Sequence, residues 1–543
     1  MTNSGLGTEI LVPSPLRYTN NLTGTKDRAD QVHNQRSQLQ HASTRLRFEV
    51  FLVFALFLSV FALTSAGFDT SEGRYDYAIA HQIVANHSLS FAQTRDGIFT
   101  VAPNGRTYAS HEIGNALGLL PVAAINILLE NVLADKYDSR TIVYITGFTM
   151  SMMPVIYCAV TIALFYAMLR RSFDKSIRPA LNCSLATGFC TFIWTYSRNL
   201  FDGVLCMCIL SGIMLCITHF RRTTKIQSFL LAVVLCGFGI ITRLTMVLVL
   251  PALAVYLTIA FWKDFRRVMM LAVIGAGLLT PFALWQTYYN HLRTGNWLTS
   301  PVQTEQYAAN NGLTGNPVIG TFGLLLSPGK SIFIYVPLLL VSVVCFRRFS
   351  VNYPSEAGFV IVLSLMWLLL HSRLASWYGA SGWGPRHFIT IVPVLVLPAC
   401  ACWDWVRRNV WRRALLICAL IWGAIVSSSS IIGNWSMRMG IAVSQGRQEG
   451  MVWSLRGGQA ADMISSAISN LRNLALRSPA PCLPSASSID CYASNSINVW
   501  INTASYAGVP RILLAMAALL LISVSVYCMI ALRQCAANET NGL

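Results

Sequence analysis

SFLLAVVLCGFGIITRLTMVLVLPALAVYLTIAFW, residues 228–262, holds a single charge, Arg243. A helix needs roughly 20 apolar residues to cross a bilayer. This stretch therefore reads as two membrane spans, 228–242 and 244–262, with Arg243 at the turn between them. Applied outward, the same reading places spans at 48–67, 141–169, 178–197, 201–219 and 268–288. Further spans fall at 331–346, 356–371, 387–403, 413–432 and 511–532, making twelve in all. The runs are continuously apolar, whereas strands of a membrane barrel alternate. The expected fold class is an all-α polytopic membrane bundle. Composition agrees: 54% of the 543 residues are hydrophobic and 11% charged, against about 25% charged in soluble domains.

The net charge of +18 does not read as nucleic-acid binding, because the basic residues cluster in short loops between spans. With the N-terminus in the cytoplasm, 23 of the 40 Lys and Arg fall on the cytoplasmic side and 17 on the other. The inner groups include Arg170, Arg171, Lys175 and Arg178, and later Arg407, Arg408, Arg412 and Arg413. This is the positive-inside bias. Residues 113–133 are apolar enough to span, but a span there would invert every later basic cluster. They read instead as an interfacial helix in the first outer loop. Most of the 15 cysteines sit in apolar runs, where Cys behaves as a small hydrophobe. Cys482 and Cys491 lie in a polar outer stretch, and a disulfide between them is expected.

The domain reading has four parts. Residues 1–46 form a polar, disordered cytoplasmic tail. Residues 47–433 form the membrane core, with 68–140 as its first outer loop. Residues 434–510 make an outer loop or small domain. Residues 511–543 hold the last span and a short cytoplasmic tail.

Polar chemistry gathers on the outer side. The first loop opens with Phe68-Asp69-Thr70-Ser71-Glu72-Gly73-Arg74-Tyr75, two carboxylates and a guanidinium at a membrane face. The bland reading is a helix cap, with Asp69 or Ser71 as N-cap and Glu72 in the first turn. The functional one is a site for a hydroxyl, a cation or an anionic head group. Further on, Tyr108-Ala109-Ser110-His111-Glu112-Ile113-Gly114 brings His111 and Glu112 to the start of the interfacial helix. Arg198, Arg243, Lys330 and Arg386 stand singly in apolar surroundings on the same side. Any one of them can snorkel to the interface. Together they can neutralise a phosphate. No P-loop, GxGxxG, GxSxG or HExxH pattern is present, and no cytoplasmic segment after residue 46 is long enough to fold around a nucleotide sugar.

These pieces, in order, resemble the membrane-embedded C-type glycosyltransferases (the GT-C superfamily), in particular the group of protein O-mannosyltransferases and bacterial aminoarabinose transferases. The resemblance rests on the 68–75 motif and on Gly105-Arg106-Thr107-Tyr108 with 110–114 and Leu119-Leu120-Pro121. It continues through Thr195-Tyr196-Ser197, Leu324-Leu325-Leu326-Ser327-Pro328-Gly329-Lys330, and Trp377-Tyr378-Gly379 with Gly382-Trp383-Gly384-Pro385-Arg386-His387. It covers roughly residues 48–432.

The resemblance implies a GT-C-like bundle of about twelve helices and a polyprenyl-phosphate sugar donor. It also implies transfer to an acceptor hydroxyl of a lipid, glycan or protein on the non-cytoplasmic face. Asp69 takes the place of the family's catalytic or acceptor-orienting carboxylate, with Glu72 as the alternative. Arg74, Arg243, Lys330 and Arg386 take that of the donor-phosphate ligands. Tyr75, His111, Glu112, Arg198 and Trp383 complete the expected substrate-binding set. His111 departs from the pattern, since many relatives carry Lys nearby. No metal ligands are assigned, and a divalent metal stays open. The expected location is a bacterial inner membrane with the site facing the periplasm or exterior. The rival reading is a transporter or lipid flippase, which calls for mid-span charges and an inverted repeat; the sequence shows neither.

Overall fold

The computed structural model describes residues 25–68, 71–92, 98–301, 312–380, 382–476, 497–506 and 508–541, with side chains from residue 44 onward except at 441, 444, 448, 449, 506 and 541. Residues 1–48 and 49–543 form separate units.

The chain is a polytopic, all-helical membrane protein. Seven helices are long and apolar enough to cross a bilayer among the described residues. They lie at Thr44–Leu63, Ser139–Ser172, Asp202–Thr223, Phe265–Thr294, Pro354–Ser372, Val410–Ile432 and Arg511–Thr540. Each coincides with an expected span. The first belongs to a helix assigned over Thr25–Leu63, whose early Gln, Arg, Lys and Ala are good helix formers.

Several expected spans are shorter or broken. Ile226–Thr242 has 17 residues, and 244–260 opens with a 3₁₀ turn, Leu244–Leu248, before Val249–Ala260. The span expected at 178–197 is two pieces, Ile177–Phe189 and Ile193–Tyr196. At the break the Thr191 hydroxyl donates to the Thr187 carbonyl and accepts from the Ile193 N–H, which takes the place of the helical ladder. The span expected at 331–346 breaks at Pro337, with Ile332–Tyr335 before it and Leu338–Asn352 after it. Proline lacks the N–H that a continuous helix needs. Arg386–Ile391 is a 3₁₀ turn leading into Val392–Ala401, every residue of which is buried. Broken backbone at membrane depth is tolerated only where protein surrounds it, and the breaks at Thr191, Pro337 and His387–Ile391 are buried, whereas the turn at Leu244–Leu248 keeps Leu244 and Val247 exposed. Phe265–Thr294 and Arg511–Asn541, by contrast, expose much of their apolar surface, as lipid-facing helices do.

The described part of the segment between the first two long helices carries short elements. The helix Gly73–Asn86 packs on Leu120–Leu133, a helix of 14 residues. At 1.5 Å per residue the latter reaches about 21 Å, too short to span the membrane. Two strands, Phe99–Val101 and Thr107–Ala109, pair antiparallel with Phe99 opposite Ala109 and Val101 opposite Thr107. The turn falls at Asn104-Gly105-Arg106, where the Asn104 side chain accepts from the Arg106 N–H. Ile79, Phe91, Tyr108, Ile113, Leu119 and Tyr289 form the apolar core beneath these elements.

Residues 434–510 are not a bare loop. They carry the helices Trp435–Ser444, Gln448–Trp453, Gln459–Leu476 and Trp500–Tyr506. Arg438 pairs with Asp462 at 2.5 Å across two of them.

Candidate active site

Gly73 fixes where the first-loop motif sits. A Cβ at this position would run into the backbone of Leu200, so only glycine lets the two chains touch. Glu72, the residue before it, is thereby held beside the start of the Asp202–Thr223 helix. Arg386 reaches it from the other side. Its Nη1 donates to Glu72 Oε1 at 3.1 Å, and its guanidinium lies over the Phe201 ring at 5.3 Å.

A second pair lies close by. Arg243 Nη1 donates to Asp202 Oδ1 at 3.2 Å, and its Nη2 is 3.3 Å from His387 Nδ1. His387 stacks on His371 with ring centres 5.1 Å apart. The consecutive residues Arg386 and His387 thus bring the Glu72 pair and the Asp202 pair together. Lys330 supports the same loop from below. Its ammonium is buried and donates to the carbonyls of Gly382 at 2.7 Å and Gly384 at 3.2 Å. The Trp383 carbonyl between them accepts from the Tyr196 hydroxyl at 2.8 Å, and the Trp383 ring meets Tyr335 edge-on.

A third group closes the cluster. Asp76, one turn after Glu72, is buried and accepts from Asn115 Nδ2 at 2.6 Å. His111 Nδ1 lies 4.0 Å from its other oxygen. Arg293 positions this stretch. It is fully buried, and its Nη1 donates to the carbonyls of Ala109, Ser110 and His111 at 3.3, 3.0 and 2.7 Å. Its Nη2 donates to Asn290 Oδ1 at 2.8 Å.

The charges set one another's protonation. Burial raises the Glu72 carboxyl, but Arg386, His111 and Arg243 outweigh it and hold Glu72 below its ordinary value. Burial dominates at Asp76 and pushes it up to about 7, against the pull of His111 and Asn115. Burial alone would depress His111, yet Asp76, Glu72 and Asp202 raise it. Burial, reinforced by Arg386, brings Lys330 down to about 7. The neighbours thus pull the two carboxyls in opposite directions, Glu72 down and Asp76 up, and draw His111 up.

Of the residues expected from sequence, Glu72, Arg243, Lys330, Trp383 and Arg386 gather around 382–387, and His111 and Glu112 border them through Asp76 and Arg293. Three others make contacts away from this loop. Arg74 is exposed and turns onto its neighbour, donating to the Tyr75 hydroxyl at 2.8 Å. Tyr75 packs edge-on against Phe99. Arg198 binds carbonyls of Ser430, Ile431 and Asn498, fastening the end of the Val410–Ile432 helix to the segment before Trp500. Asp69, Cys482 and Cys491 lie outside the described residues. Among the described residues no three His, Cys, Asp or Glu side chains stand close enough to hold a metal ion.

Sequence reasoning missed Asp76, Asp202, His387 and Arg293. Asp202 carries a signal as an acid at the opening of a span, five residues past Ser197. Asp76 carries none, and only the fold shows it turned inward. An apolar cleft of about 770 Å³ lies elsewhere, lined by Phe220, Ile226, Arg266, Arg267 and Leu271, in a segment assigned to the cytoplasmic side.

Residues 140–285 match the family model described as dolichyl-phosphate-mannose-protein mannosyltransferase. The match includes Thr195-Tyr196-Ser197, Asp202 and Arg243. Among solved structures, ArnT from Cupriavidus metallidurans bound to undecaprenyl phosphate is similar at 13% identity. It covers 79% of this chain and 75% of its own, with a TM-score of 0.43. The apo state of the same protein gives 12% identity, 80% and 75% coverage, and a TM-score of 0.41. No curated protein matches the sequence.

Proposed function

We propose that this chain, a membrane glycosyltransferase of the C type, binds the phosphate of a polyprenyl-phosphate sugar between Arg386 and Arg243 and uses a first-loop carboxylate as its base. The observation that supports this most is the meeting of Arg386 with Glu72 and of Arg243 with Asp202 at consecutive loop residues. A phosphate there receives charge-assisted hydrogen bonds from two guanidinium groups, whose planar forks suit its geometry.

The reaction is a single displacement. The acceptor oxygen attacks the anomeric carbon as its proton passes to the carboxylate. The bond from that carbon to the phosphate oxygen breaks, and the electron pair leaves with the polyprenyl phosphate. Negative charge grows on the phosphate as the bond breaks, and fixed cations stabilise it. Lys330 contributes indirectly by holding the carbonyls of the loop that carries Arg386. Glu72 is suited to the base role because its partners keep it ionised. Asp69, three residues earlier, is the other candidate. Inversion at the anomeric carbon follows from a single displacement.

The acceptor is a hydroxyl of a lipid, glycan or protein. The short-loop charge bias supports an outward-facing site, and the proposed setting is a bacterial inner membrane with the site facing the periplasm or exterior. The test is transfer by purified protein from labelled polyprenyl-phosphate sugars to a membrane extract. Transfer by the wild type that is lost in Arg386→Ala is expected. Movement of intact donor across vesicles without sugar release is the flippase outcome and contradicts the proposal.

A further inference from the structure

Gln459 lies far along the chain from every residue of the site, at the start of the Gln459–Leu476 helix, yet it is 1% exposed. Its carboxamide is built into the 382–386 loop. Oε1 accepts from the Gly384 N–H at 2.8 Å, and Nε2 donates to the Gly382 carbonyl at 3.2 Å. The Tyr335 hydroxyl, which donates to the Gly329 carbonyl at 2.8 Å, stands 3.4 Å from the same Oε1. The Gly382 carbonyl thus receives both Lys330 and Gln459.

The residues before Gln459 press on the other half of this support. The Gly329 N–H donates to the Val452 carbonyl at 3.0 Å. A Cβ on Gly329 would collide with the Met451 carbonyl, so residue 329 must be glycine for the two segments to close. Lys330 is the next residue. The 451–459 segment therefore touches both the turn that presents Lys330 and the loop that presents Arg386.

From this we infer that Gln459 is a positioning residue for the donor site, and that the 451–459 segment completes that site rather than forming an appended outer loop. The physical reason lies in the loop itself. Gly382-Trp383-Gly384 has two glycines in three residues, so the backbone has little stiffness of its own. A carboxamide bonding one N–H and one carbonyl two residues apart fixes its course. Arg386, two residues further, is then aimed at Glu72. This inference rests on the reading of Arg386 and Arg243 as donor-phosphate ligands.

Gln459→Ala removes both bonds and leaves the Gly384 N–H buried without its partner. Gln459→Met keeps the side-chain volume and removes only the polarity. Binding of a polyprenyl phosphate to the purified full-length protein is measured for the wild type, both variants, Arg386→Ala and the double variant Gln459→Ala/Arg386→Ala, with thermal unfolding recorded in parallel. The expected result is a roughly ten-fold weaker Kd in each Gln459 variant, because a loop no longer held by the carboxamide must be ordered when the phosphate binds, with a cooperative unfolding transition retained at a modestly lower temperature. In the Arg386→Ala background the Gln459→Ala effect shrinks, because the aimed group is gone. Wild-type affinity in both Gln459 variants, while Arg386→Ala binds weakly, overturns the inference and leaves the site reading intact. So does a fall in unfolding temperature with unchanged Kd, or failure of both variants to fold, either of which assigns Gln459 to stability alone. No binding by the wild type overturns the reading of the site and this inference with it.

Discussion

Glu72→Gln separates the roles of the first-loop carboxylate. The change keeps the side-chain length and leaves a neutral oxygen for Arg386 Nη1, now 3.1 Å from Glu72 Oε1. The Glu72 side chain is 38% exposed, so the pair contributes about 0–1 kcal/mol to folding, as solvent-screened pairs do. The variant should therefore reach the membrane and unfold near the wild-type temperature. Catalysis is another matter. A general base contributes roughly 10²–10⁴ in rate, or about 2.7–5.4 kcal/mol at about 1.36 kcal/mol per decade.

The assay is transfer from a labelled polyprenyl-phosphate sugar at saturating donor, followed against pH. Because Arg386, His111 and Arg243 hold Glu72 below its ordinary value, the wild type should keep its rate through the mildly acidic range. It should lose rate only as the pH falls through that lowered value and the base protonates. The same sign holds for stability: what the ionised Glu72 contributes is present above the ordinary glutamate range and lost as the pH falls through the lowered one. Glu72→Gln should be at least a hundred-fold slower wherever wild-type Glu72 is ionised, and it should lack this acid limb, so that the difference narrows at low pH. A variant within a few-fold of wild type would refute the assignment of the base to Glu72.

Asp69→Asn tests the competing carboxylate: it should lose a hundred-fold or more in transfer if Asp69 is the base, and little if Asp69 only caps the following helix, as measured in the same assay. Arg293→Met removes the donor to three carbonyls beneath His111 and should destabilise the protein by about 2–3 kcal/mol, the scale of a charge-assisted hydrogen bond, read as a lower unfolding temperature in detergent; an unchanged temperature would contradict the clamp. Reporter fusions after Arg171 and Thr299 should report opposite sides of the membrane, and a result on one side would break the twelve-span topology.

The membrane character was legible because hydrophobic runs depend only on local composition. Seven long helices fall where those runs stand. Helix breaks were less legible. Pro337 announces one, but the Thr191 break depends on a hydroxyl replacing a backbone bond, which apolar periodicity does not register. Within the site, Arg243, Lys330 and Arg386 stood out because a charge in an apolar setting is costly and needs a reason. Arg198 had the same signal and a different reason, the carbonyls at the end of the Val410–Ile432 helix. Sequence cannot separate a cation that sits in a charged cluster with Glu72 and Asp202 from one that meets a helix end. Asp76 and Gln459 were invisible for a related cause, since each sits in an ordinary amphipathic stretch and gains its role from a partner 39 or 75 residues away.

Whether a lipid phosphate binds at the junction of Arg386 and Arg243 is decided by a structure determined with a polyprenyl phosphate bound. Phosphate oxygens are expected within hydrogen-bond reach of both guanidinium groups and beside the Glu72 carboxylate, with the lipid tail leaving toward the membrane. A phosphate seated elsewhere, for instance against Arg266 and Arg267 in the opposite cleft, with Arg386 still closed on Glu72, would contradict this expectation.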